Sequence, residues 1–66
     1  MSALDLAGAV MEIINKKTPT RKEDAINELG RLEQLLGRAL KENEDLLASQ
    51  IRKRMKELRH AFKDIE

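Results

Sequence analysis

Residues 39–47 read ALKENEDLL, and the architecture of the chain turns on whether the helix that enters this stretch also leaves it. Asn43 lies in a row of the apolar pattern that runs Leu32, Asn43, Arg54, Ile65 and is apolar only at its ends. Two readings are open. In one, Asn43 is a polar, register-setting residue inside a long helix packed on its mate. In the other it is a left-handed residue just past the end of one helix, and Glu44 and Asp45 open the next, where negative charge suits the helix dipole.

Working outward, the large apolar residues recur in eleven-residue steps. Leu29, Leu40, Ile51 and Phe62 form one row, and Ala25, Leu36, Leu47 and Leu58 another. Eleven residues in three turns is about 3.67 per turn, close to the natural helix, so both rows hold to one face. No proline follows Thr20. This phase continuity favours one helix over about 21–65, roughly 68 Å long at 1.5 Å per residue. A break at 42–45 gives a three-helix bundle instead.

Upstream, Leu6, Ala7, Val10, Ile13 and Ile14 follow the i, i+3, i+4, i+7 rule, while Asp5, Gly8, Glu12 and Asn15 fall on the opposite side. The spacing predicts an amphipathic helix over about 3–16, with Leu4 and Met11 widening its apolar arc towards more than one neighbour. Lys16, Lys17 and Pro19 end it, because the residue before a proline is pushed out of helical dihedrals. The turn is expected at 17–20. Thr20 with Glu23 matches a capping box for the next helix, and a cap at Thr18 with Pro19 in the first helical position is the other possible start. The expected fold is therefore all-α, a single domain over 1–66.

With 66 residues the chain buries only about 60% of the surface its unfolded form exposes. It has no cysteine to cross-link or to cage a metal. The ridge from Ala25 to Ile65 looks too extensive for one short helix to cover, so an oligomeric bundle or coiled coil, a homodimer first, is expected. The apolar N-terminal stretch carries Asp5 and Glu12 and lacks a basic leader segment, which predicts a cytoplasmic protein with no membrane association.

Reactive side chains are few. There is no Cys, Tyr or Trp, and His60 is the only histidine. Ser49 and His60 stand eleven residues apart on one helix, roughly 16 Å along its axis, too far for a nucleophile and its base. The Ser49-Gln50 pair resembles a segment of the short helical-hairpin phosphatases that act on sporulation response regulators. That family works through an aspartate four residues after the serine, where this chain has Lys53, so the reacting group is missing. Glu57 and His60 have the Glu-x-x-His spacing of bundle di-metal sites, but both point away from the expected core. No enzyme activity, cofactor, metal or small-molecule substrate is expected.

Charge is balanced overall at +1, yet residues 1–45 carry seven basic and nine acidic side chains and residues 46–66 carry six and three. Within the basic part, Arg52, Lys56, Arg59 and Lys63 recur at i, i+4, i+7, i+11 and line one flank of the helix. Such a stripe suits a phosphate backbone, an acidic partner helix or an anionic membrane surface, or is simply solvated. Gly30 and Gly37, one heptad apart, either sit on a solvated side or leave with Ile26 a smooth strip for close approach by the first helix or a partner. The function these features favour is a non-enzymatic helical interaction or regulatory module that packs with itself and a protein partner, such as an adaptor, inhibitor or assembly factor. Leu4, Met11, Ile26, Gly30 and Gly37 are the candidate protein contacts. The alternative is a dimeric nucleic-acid-binding regulator using Arg52, Lys56, Arg59 and Lys63.

Overall fold

The structure, a computed structural model, describes residues 3–63, with side chains from Asp5 onward. Three helices account for most of it: α1 (Ala3–Ile14), α2 (Lys22–Lys41) and α3 (Asp45–Ala61). Each begins and ends for a local reason. After α1, Asn15 N–H and Lys16 N–H donate to the carbonyls of Met11 and Ile13, closing the last turn before Pro19. Arg21 is the N-cap of α2 in extended conformation, one residue later than the capping box at Thr20 predicts, and no side chain caps it. Glu23 and Asp24 in the first turn and Arg38 and Lys41 in the last complement the dipole of α2.

The long helix is not formed: the chain breaks at residues 42–44. Asn43 has φ of 58°, the left-handed region. Its N–H donates to the Leu40 carbonyl at 3.2 Å, and Glu44 N–H donates to the Ala39 carbonyl at 2.8 Å. These are the paired bonds of a Schellman closure, which satisfy carbonyls that a helix end leaves open. Asparagine is the residue that tolerates this dihedral best after glycine. Ala48 N–H then donates to the Glu44 carbonyl, and α3 begins. The principal extents of 32 × 19 × 15 Å have no room for a 68 Å rod.

With so short a connection α2 and α3 lie side by side as a helical hairpin, and α1 packs against both. Each helix supplies its stripe to one core. From α1 come Leu6, Val10 and Ile13; from α2, Ala25, Leu29, Leu32, Leu35 and Ala39; from α3, Leu47, Ala48, Ile51, Met55 and Leu58. Leu6, Leu32, Ile51 and Leu58 are wholly enclosed, and burying each contributes about 1.5–3 kcal/mol. The ridge that seemed to require a second copy is thus largely covered by the chain's own helices, and that ground for expecting self-association falls away. One of its leucines escapes: Leu40 is 47% exposed beside the reversal at Asn43, and Leu46, which belongs to none of the rows, is 73% exposed on the other side of it.

One charged residue enters the core. Arg54 is 5% exposed. Its Nε donates to Glu28 Oε2 at 2.7 Å and its Nη2 to Glu28 Oε1 at 3.3 Å and to the Lys17 carbonyl at 3.2 Å. One guanidinium therefore joins α3, α2 and the loop after α1. Among the described residues no buried side-chain polar atom lacks a partner, and no helix is long and apolar enough to cross a membrane.

Two outcomes follow for stability. Asn43→Val, which forces a β-branched side chain into the left-handed region, should lower unfolding free energy by about 1–2 kcal/mol, while Asn43→Gly should leave it level or raised. Thermal melts followed by circular dichroism decide this, and equal behaviour of the two variants would refute the helix-end account. Arg54→Ala should cost about 3–5 kcal/mol by stranding Glu28, and the paired change Arg54→Met with Glu28→Leu should recover most of it. Urea titration of the three variants reads the difference, and a near-neutral Arg54→Ala would show that the pair holds nothing.

Candidate functional site

The hairpin places the basic flank of α3 beside α2, and a shallow groove forms between them. Its lining residues are Leu36 from α2 and Arg52, Met55, Lys56, Arg59, His60 and Lys63 from α3 and its continuation. All four members of the stripe are there. Lys63 lines the groove although α3 ends at Ala61, short of the helix end expected near 65. Phe62, the C-cap, turns back to pack against the core.

Leu36 and Met55 form the floor and the cations form the rim. Arg52, Lys56, Arg59, His60 and Lys63 are exposed, and none of them forms a salt bridge with another described residue. No carboxylate is among the described lining residues. Arg54, which shares their segment, points the other way and is consumed by Glu28. Pairs elsewhere on the surface are loose: Lys16–Glu12 spans 3.9 Å and Arg38–Glu42 spans 3.6 Å, both at i,i+4, a class of contact that adds little.

The candidate protein contacts are not gathered into one site. Ile26, 46% exposed, and Gly30 line a second shallow groove with Ala9, Asn27, Arg31, Gln34 and Leu35, where α1 meets α2. Met11, 38% exposed, and Gly37 lie outside that lining, and the side chain of Leu4 lies outside the described residues. A Cβ placed on Gly30 or Gly37 would meet no atom within 4 Å. The first helix therefore makes no close approach at the glycine strip, and both glycines face open space.

Glu57 and His60 are exposed on α3 and share a depression with Thr18, Lys53, Lys56 and Ala61. Among the described residues no group of three or more His, Cys, Asp or Glu is gathered as a metal would require. Lys53 and Lys56 beside the pair further disfavour a cation there. Ser49 is exposed on α3 well away from His60.

Sequence reasoning found the cations of the α2–α3 groove but not its floor. Leu36 and Met55 carry the spacing of core residues, and only the reversal at Asn43, which brings α2 alongside the flank of α3, makes them the base of a groove. Compared with known proteins, the chain matches no protein family, no curated protein and no solved structure.

For the glycines the expected result is stabilisation. Gly30→Ala and Gly37→Ala should each add about 0.5–1 kcal/mol, since alanine fits a helix better and meets no neighbour here. A loss of stability in either variant, measured by chemical denaturation, would mean that the strip is covered.

Proposed function

We propose that this chain is a small non-enzymatic interaction module of the cytoplasm, an adaptor, inhibitor or assembly factor, that binds a protein through the groove between α2 and α3. The observation that supports the reading is the groove's composition: an apolar floor of Leu36 and Met55 under a rim of cations, with no carboxylate among the described lining residues. Protein interfaces combine a buried apolar centre with a polar rim, and arginine is enriched in them. A rigid helical hairpin holds this surface without needing the partner to fold it. Self-association is not required, although the exposed Leu40 and Leu46 at the hairpin end offer a second copy an apolar contact.

Nucleic-acid binding is the second reading, favoured by the regular i, i+4, i+7, i+11 cations, which suit a phosphate backbone. It is the weaker one. The groove's described lining has no Phe, Tyr or Trp for base stacking, and the net charge is only +1.

A photo-crosslinking residue placed at Lys56, with Asn27 on the other groove as the control position, separates the readings in host extract. Nuclease-resistant protein adducts from position 56 that disappear with Arg52→Glu and Arg59→Glu are the expected result. Nuclease-sensitive adducts would transfer the assignment to nucleic acid, and equal labelling from both positions would remove the groove from the account.

A further inference from the structure

The groove's chemistry also constrains the shape of what occupies it. We infer that its occupant is a short acidic amphipathic helix, an inference that rests on the reading of the groove as a protein site. The helical cations Arg52, Lys56 and Arg59 span seven residue steps, roughly 10 Å at a helical rise, and Lys63 carries the rim past the end of α3 at Ala61. That length matches a partner helix with carboxylates along one flank and two or three apolar side chains turned onto Leu36 and Met55.

The donor inventory selects a helix over an extended segment. An extended peptide brings unpaired backbone N–H groups and needs acceptors, but arginine and lysine side chains only donate. The described residues contain no strand whose edge could pair with one. A helix arrives with its backbone bonds made and offers only side chains, carboxylates to the rim and aliphatic groups to the floor. Leu36, only partly buried, supplies most of that floor, and Met55 adds the edge of a side chain otherwise packed in the core.

Charge complementarity argues the same way. From residue 46 to residue 63 the chain has six basic side chains and a single acidic one, Glu57, and Arg54 alone of the six is neutralised internally. A nucleic-acid duplex would use the cations but leave the apolar floor without a partner. A flat anionic bilayer would reach the rim while Met55, 6% exposed, stays below it.

Fluorescence anisotropy with the full chain tests this. The probe is a labelled synthetic peptide with leucines at i, i+4 and i+7 and glutamates flanking them. Comparison ligands are a scrambled peptide of the same composition, the same peptide with lysine for glutamate, a short DNA duplex and phosphatidylserine-containing vesicles.

The acidic amphipathic peptide should bind about tenfold or more tightly than either peptide control. Its affinity should fall as salt rises from about 0.05 to 0.5 M, where exposed charges are screened. Arg52→Gln with Arg59→Gln should weaken binding about tenfold and the Glu pair should abolish it, with unchanged melting curves, whereas Ile26→Glu on the other groove should have no effect. Equal binding of the scrambled peptide, tighter binding of the duplex or vesicles, or no binding at all would overturn the inference. If the peptide fails while position 56 still crosslinks to protein, only the helical acidic partner is lost. If both fail, the groove is not a protein site.

Discussion

The guanidinium of Arg54 is the point on which the three parts of this molecule converge. A charge taken from water costs several kcal/mol unless geometry and hydrogen bonding compensate. Here the compensation comes from two places far apart in sequence, a carboxylate on α2 and a backbone carbonyl after α1. The apolar stripes would bring the three helices together in more than one rotational setting, since leucine and isoleucine contacts are non-directional. The forked bond to Glu28 and the single bond to Lys17 are satisfied in one setting only. The ion pair thus selects an arrangement more than it supplies net energy, and α1, the smallest contributor of buried surface, is held in register through its trailing loop.

The same residue bears on how the candidate surface comes to be one-sided. Arg54 projects inward, where the Glu28 carboxylate balances its charge, while Arg52, Lys53, Lys56 and Arg59 are exposed. Glu28, half-buried on α2, is taken up by Arg54 and is not among the described residues that line the groove. A chain with nearly balanced composition can in this way present a polarised groove.

Much of this was legible in the residues. The apolar face of α1, with Leu6, Val10 and Ile13 inward and Asp5, Gly8, Glu12 and Asn15 outward, follows directly from its periodicity. So does the turn around Pro19, and so does the basic row on α3. What misled was the eleven-residue phase through Leu29, Leu40, Ile51 and Phe62. A chain that reverses through three residues can resume an apolar stripe at a spacing that a straight helix would also produce, and periodicity carries no direction. The deciding information was local and chemical: an asparagine between Glu42 and Glu44, able to take the left-handed dihedral. The Arg54–Glu28 pair also had a signal, since each stands within an apolar stripe where a charge needs a mate, but only the antiparallel hairpin brings the two stripes face to face.

The reversal at Asn43 has a kinetic consequence as well. Joining two helices through three residues makes closing the loop between them entropically inexpensive, and it keeps the contacts of the largest apolar interface near in sequence. Chains of such low contact order cross their folding barrier in microseconds to milliseconds. Once all three helices are available, a domain of this kind leaves its leucines uncovered only briefly, which shortens the time in which they can meet another chain.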